Sequence, residues 1–176
     1  MSPLTQGTVQ IYTGSGKGKT TAAVGAAVRA LGHGLTVCMI QFMKGDPNYG
    51  ELLLAEKMAG FTIIQSGLPT FVTKGSPGEE DLRLARRGME LARDALASGQ
   101  YDMVILDEIN VAVDYGLVPV EEVLELIDLR PPHVELILTG RYARSEVIDR
   151  ADLVSDVREV KHHYGAGLRA REGIEY

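Results

Sequence analysis

Short apolar runs alternate along the chain with stretches whose apolar residues recur at helical spacing. The runs at 8–12, 35–42, 61–65, 102–107, 134–139 and 153–157 read as strands. Between them, the pattern predicts helices over 19–31, 49–59, 78–97, 120–128 and 144–150. Val37-Cys38-Met39-Ile40 and Met103-Val104-Ile105-Leu106 are apolar without interruption, as strands covered on both faces are. Strand–helix alternation of this kind predicts an α/β fold: a mostly parallel sheet with helices on both faces. Two helix starts carry local signals. Ser76-Pro77-Gly78-Glu79 reads as a capping box with proline in the first turn, leading into a stripe of Leu82, Ala85, Met89, Ala92 and Leu96. Pro119 opens another helix, with Val120, Val123, Leu124 and Ile127 as its inward face. Ser66 to Ser76 has no period and reads as a loop. No repeat or linker divides the chain, so residues 1–176 are expected to form one domain.

The most specific chemistry lies between the first strand and the first helix, where residues 13–21 read Thr-Gly-Ser-Gly-Lys-Gly-Lys-Thr-Thr. A glycine-rich turn from strand to helix is the architecture of a phosphate-binding P-loop, whose backbone N–H groups converge on phosphate oxygens at the positive end of the helix dipole. Gly14, Gly16 and Gly18 allow the tight curl, and Lys19 supplies a charge for the phosphates. Thr20 places a hydroxyl for a metal ion. Thr13 stands where the usual pattern has glycine, which points to a P-loop subtype. Ser15, Lys17 and Thr21 complete the expected nucleotide contacts.

Asp102 to Glu108 is an apolar strand ending in two carboxylates, about 90 residues downstream, a normal spacing for an α/β nucleotide site. Such a Walker-B strand is expected beside the first strand, delivering a carboxylate to Mg2+. Asp107 and Glu108 are both candidates, one touching the metal and the other acting through water or holding the loop. Thr139-Gly140-Arg141 follows another buried strand, so Arg141 reads either as a phosphate contact or as a surface arginine. His162 and His163 are adjacent, and in an extended chain they point to opposite sides, which argues against a two-histidine metal site. The segment around them, Lys161 to Gly167, reads as a polar stretch meeting substrate or a partner chain. His33, between two glycines, reads as a helix cap. Together these features predict a P-loop NTPase-type, RecA-like fold.

Composition narrows the setting. The chain has 176 residues, is 45% hydrophobic and carries a formal charge of −6. That size and apolar content suffice for one substantial core. The acidic balance disfavours a nucleic-acid partner, which needs a basic surface. No apolar run approaches the ~20 residues needed to span a bilayer. Met1 to Gly7 lacks the features of a secretory signal. Cys38, alone in an apolar run, excludes an internal disulfide and reads as a buried thiol. A cytoplasmic protein is the expectation.

With these residues in hand, the chain resembles the ATP:corrinoid adenosyltransferases of the cob(I)yrinic acid a,c-diamide type. The resemblance is carried by Tyr12 to Thr21, Arg29 to Gly34, Ile40-Gln41-Phe42-Met43-Lys44-Gly45, Val104 to Glu108, Thr139 to Arg141, Val160 to Tyr164, and the ending Gly165 to Tyr176. The Thr13 substitution belongs to the family's pattern. The resemblance implies transfer of the 5′-deoxyadenosyl group of Mg-ATP to the Co(I) centre of a corrinoid, with triphosphate released. The nucleotide is implied to lie reversed in the P-loop, its 5′ carbon facing the corrinoid. It further implies Lys19, Thr20 and Glu108 as the catalytic set, Arg29 as a contact to nucleotide or substrate, a flavoprotein reductase as supplier of Co(I), and a homodimer.

Two positions depart from the family's pattern. Where many members carry an aromatic Gly-Phe-Thr-Trp loop under the corrinoid, this chain has Gly67-Leu68-Pro69-Thr70-Phe71-Val72 and no tryptophan. Phe71 is either the stand-in for that aromatic or ordinary core packing. Ser15 replaces a common asparagine, which weakens an implied sugar contact. The short segment before the first strand also implies the lack of a lid found in some members. Two other functions fit the Walker residues: an ATPase in which Glu108 activates water, and a carrier that binds adenosylcorrinoid and hands it on.

Overall fold

The computed structural model describes residues 4–176. Of the N-terminal stretch, positions 1–3 lie outside the described residues.

The strands are β1 (Val9–Thr13), β2 (Val37–Phe42), β3 (Phe61–Ser66), β4 (Met103–Asp107), β5 (Glu135–Thr139) and β6 (Leu153–Asp156). They form one six-stranded sheet in the order β3-β2-β4-β5-β1-β6, with every pairing parallel. The helices are α1 (Lys19–Gly32), α2 (Gly50–Ala55), α3 (Glu79–Ala97), α4 (Ile109–Asp114), α5 (Val120–Leu129) and α6 (Ser145–Ile148), and a 3-10 turn spans His163–Ala166.

The uninterrupted apolar strands arise because two cores share them. Along β2, Val37 and Met39 face one core while Cys38, Ile40 and Phe42 face the other. In β4, Met103 and Ile105 alternate in the same way with Val104 and Leu106. Strand side chains alternate faces, so a strand covered on both sides has no polar positions to show. On the first face α1 presents Ala23, Ala27 and Ala30, a stripe small enough to bring the helix close to the sheet. On the second, Ala85, Met89, Ala92 and Leu96 of α3 pack with Val123, Leu126 and Ile127 of α5. The thiol of Cys38 lies in this core, and burial pushes its pKa up to about 11. Among the described residues no helix is long and apolar enough to cross a membrane.

Three expectations are corrected. The Walker-B strand does not lie beside β1: β5 separates them. The capping box at Ser76 is displaced, since α3 begins at Glu79 with Gly78 as N-cap, and it is the Asp81 carboxylate that accepts the Gly78 N–H at 3.0 Å. The histidine pair is not extended. The chain turns at His163, and the two rings face each other with centroids 4.6 Å apart.

Candidate active site

Parallel strands bring all their C-terminal ends to one edge, where α/β proteins bind ligands. Every non-glycine residue with positive φ among the described residues sits there: Met43 (58°) after β2, Glu108 (60°) after β4 and Tyr142 (63°) beyond β5. Each left-handed residue costs about 1–3 kcal/mol, and such strain gathers where side chains are aimed at a ligand.

The glycine loop leaves β1 with Gly14 at φ 101° and enters α1 from Gly18 at φ 122°. At Gly14 a Cβ would run into the Asp156 carboxylate and the Val157 carbonyl. Thr13 needs no such freedom. It is still strand, paired with Asp156, and its hydroxyl accepts the Ala143 N–H at 3.3 Å. Pairing between β1 and the chain after β6 continues into the loop: the Gly16 N–H donates to Val157 O at 2.7 Å. That N–H is therefore not free for phosphate, which corrects one expected donor. Gly18 has no side chain to cap α1, so the first-turn N–H groups carry no side-chain cap and remain available to an anion. Lys19 is 7% exposed and folds back to donate from Nζ to Gly16 O at 2.7 Å. Burial draws its pKa below the ordinary lysine value, partly opposed by Glu108 and Asp107 and reinforced by Arg141.

Asp107 and Glu108 are neighbours with opposite surroundings. Asp107 is fully buried and accepts from four side chains. Thr20 Oγ1 and Thr139 Oγ1 donate to its Oδ1 at 2.8 and 2.7 Å, and Lys44 Nζ and Gln41 Nε2 to its Oδ2 at 2.7 and 3.5 Å. Glu108, turned by its left-handed backbone, has its N–H held by Thr139 Oγ1 at 3.0 Å, while its carboxylate accepts no hydrogen bond among the described residues. Burial raises the Glu108 pKa above the usual carboxylate range. Asp107 adds to this, and Lys44, Lys19 and Arg141 oppose it. A hydroxyl whose proton is committed to Asp107 and a free carboxylate make a hard-oxygen donor pair, which fits Mg2+.

Arg141 is exposed, yet its charge acts on both Lys19 and Glu108, so it belongs to this cluster. Ser15, Lys17 and Thr21 are exposed on the loop and first turn, and Lys17 Nζ reaches Ile174 O at 3.4 Å, in the C-terminal segment. Arg29 is not brought to the loop. It lies ten residues up α1 from Lys19, about 15 Å along the axis, in a groove with His33 and Tyr12. Phe71 is fully exposed in the loop after β3, which removes core packing as its role. Lys44, Gln41 and Thr139 were not singled out by sequence reasoning. All three lie within two residues of a strand's C-terminal end on the ligand-binding edge, and that position is the signal that finds them.

A phosphate loop and a strand-end carboxylate pair on a parallel sheet with this strand order define a P-loop nucleotide-binding protein of RecA-like fold. Solved structures agree on the fold: the RadB recombinase matches with TM-score 0.56 and 15% identity over 90% of this chain and 78% of that one. A KaiC-like protein from Pyrococcus horikoshii matches with TM-score 0.57 and 17% identity over 86% and 72%. Within that class, the chain belongs to the ATP:corrinoid adenosyltransferase family BtuR/CobO/CobP, whose sequence model matches residues 5–176. The corrinoid adenosyltransferase CobA of Salmonella typhimurium is 40% identical over 97% of this chain and 86% of its own length. The Escherichia coli K12 corrinoid adenosyltransferase matches to the same extent. The Pseudomonas aeruginosa relative is 32% identical over 97% of the chain and 84% of its own.

Proposed function

We propose that this protein transfers the 5′-deoxyadenosyl group of ATP to the Co(I) centre of a corrinoid, in adenosylcobalamin biosynthesis or corrinoid salvage. The family match over 5–176 carries this reading, joined to a phosphate loop that carries Lys19 and Thr20. In the reaction the cobalt lone pair forms a Co–C bond to the ribose 5′ carbon. The C–O bond to the polyphosphate breaks, and its electron pair leaves on triphosphate. No protein base is needed, because the nucleophile is a reduced metal.

The protein's task is to hold the nucleotide and receive the leaving charge. The first-turn N–H groups of α1 and the Lys19 ammonium lie where the triphosphate would seat, with Arg141 alongside. Fixed donors aimed at developing charge are the largest contributors to transition-state stabilisation. Partial burial strengthens this, since a unit charge pair 4 Å apart is worth about 4 kcal/mol at an effective dielectric of 20 against about 1 in water. Thr20 and Glu108 would hold Mg2+, which would neutralise charge on the triphosphate as it leaves. Asp107, which accepts the Thr20 hydroxyl at 2.8 Å, would orient Thr20 for that task. The loop carrying Phe71 supplies the corrinoid side of the site, and a flavoprotein reductase supplies Co(I). A homodimer is the proposed assembly.

Anaerobic incubation with Mg-ATP and chemically reduced cobalamin, cobinamide or cobyrinic acid a,c-diamide tests the reading. Loss of the Co(I) absorbance with formation of intact triphosphate is expected, and the relative rates identify the preferred corrinoid. ADP and phosphate formed at the same rate without corrinoid would instead make the protein an ATPase.

A further inference from the structure

Lys44 has no part in the mechanism above, yet it is among the most firmly held side chains at the site. Its Nζ lies 2.7 Å from Asp107 Oδ2 and 3.8 Å from Glu51, with the Tyr49 ring 5.4 Å away. Burial disfavours the charge on Lys44, but Asp107, Glu51 and Glu108 outweigh that and hold it as an ammonium. Its backbone is placed as tightly as its head group. Met43, just before it, is left-handed at φ 58°.

Gly45, just after it, faces Gly67 in a backbone-to-backbone contact. A Cβ on Gly45 would run into Gly67 O and stand 2.6 Å from Leu68 C and 2.8 Å from Pro69 N. In return, a Cβ on Gly67 would run into Lys44 N and stand 2.6 Å from Met43 Cα. A further tie comes from Gln65 at the end of β3, whose Nε2 donates to Asp46 O at 2.9 Å. Gly67 is also the first residue of the loop that carries the fully exposed Phe71 to α3. The corner 43–46 thus has its charged end in the phosphate site and its backbone against the root of the Phe71 loop.

We propose that Lys44 is a positioning residue through which the nucleotide end of the site fixes the loop 67–78, and with it the corrinoid side. Anchored on Asp107, the ammonium holds the corner, and the paired glycines transmit its place to Leu68 and Pro69. Two packed backbones without intervening side chains leave little room for one to move without the other. The inference rests on the adenosyltransferase reading only in taking the Phe71 loop as the corrinoid side.

The test compares wild type with Lys44→Met and Gly45→Ala. Lys44→Met removes the anchor, whereas Gly45→Ala wedges the corner from the loop and leaves the ion pair intact. Binding of hydroxocobalamin without ATP is measured by equilibrium dialysis, and amide exchange is followed over 67–78. Both variants are expected to weaken hydroxocobalamin binding by about tenfold, within the usual range of coupling between sites, and to speed exchange in the loop. Unchanged hydroxocobalamin affinity and unchanged loop exchange in either folded variant overturn the proposal. So does a Lys44→Met variant that loses only ATP affinity, for then the lysine serves the nucleotide alone. If wild type binds no hydroxocobalamin while the variants still loosen the loop, the functional reading fails and the Lys44 link stands. Should Lys44→Met not fold, Gly45→Ala decides by the same measurements.

Discussion

Asp107 and Glu108 show how one backbone torsion divides two adjacent carboxylates into different roles. Asp107, the last residue of β4, points into the sheet edge and is saturated with donors, while the left-handed turn at Glu108 leaves its carboxylate without one among the described residues. The two are therefore expected to fail differently. Asp107→Asn removes the nearest counter-charge of Lys44, leaving Glu51 at 3.8 Å, and turns an amide donor toward it. Breaking a buried pair in this way costs about 3–5 kcal/mol. A large fall in the urea midpoint is the expected result. Glu108→Gln should keep the wild-type midpoint but require more Mg2+ for half-maximal activity, as a Mg2+ titration would show. Equal destabilisation by both would contradict the division. Cys38 gives a pH prediction. Its folded pKa of about 11 lies above the unfolded value of 9.0, so the unfolded chain releases the proton first. Stability is then lost as pH rises from about 9 to 11, by roughly 2–3 kcal/mol at most. Comparing urea midpoints at pH 8 and 10.5 should show a smaller drop for Cys38→Ala than for wild type.

At the level of elements, the helices read most securely in advance were those with a long inward stripe, although the short α2 and α6 were also placed. The α3 stripe of Ala85, Met89, Ala92 and Leu96 is buried as its spacing demands, and Leu82 packs against its margin. The helix α4 (Ile109–Asp114) escaped notice because it starts one residue after Glu108 and its sequence continues the apolar character of β4, so no break in pattern marks it. The range of α3 was read to within a residue, but its cap was misplaced, because Ser76 and Gly78 both offer a start signal and only the fold decides between them. The same helix carries a contact that no stripe reveals. Gly88 lies against β2 and β3, and a Cβ there would stand 2.6 Å from Phe42 Cε1 and 2.8 Å from Ser66 Oγ. Alanine improves helix propensity by about 0.5–1 kcal/mol, but overpacking a core costs about 1–3 kcal/mol. Phe42 is fully buried, and the cavity beside it is only about 10 Å³, so packing should win. Gly88→Ala is expected to lower the urea midpoint, and a rise would show that α3 shifts outward freely.

For the molecule as a whole, the nucleotide site couples function to stability. A ligand that binds only the folded chain stabilises it by about 2.7 kcal/mol at a hundred times its Kd. Mg-ATP should raise the unfolding temperature of the wild type in proportion to the logarithm of its concentration. Lys19→Ala should lose most of that rise while unfolding at an unchanged temperature without nucleotide, because among the described residues the Lys19 side chain bonds only its own loop carbonyl. A full nucleotide-dependent rise in this variant would place ATP elsewhere. By itself the sequence determined the alternation of elements, the two-faced burial of the strands, the phosphate loop with Lys19 and Thr20, and the carboxylate pair. Each of these is a local property, since periodicity, glycine freedom and strand ends are written within a few residues of one another. Only the tertiary structure decided that β5 stands between β1 and β4, that the Gly16 N–H belongs to Val157, that Arg29 lies away from the loop, and that Lys44 closes on Asp107. Those outcomes depend on which distant strands lie side by side, and pairings across many tens of residues leave no period in the chain that encodes them.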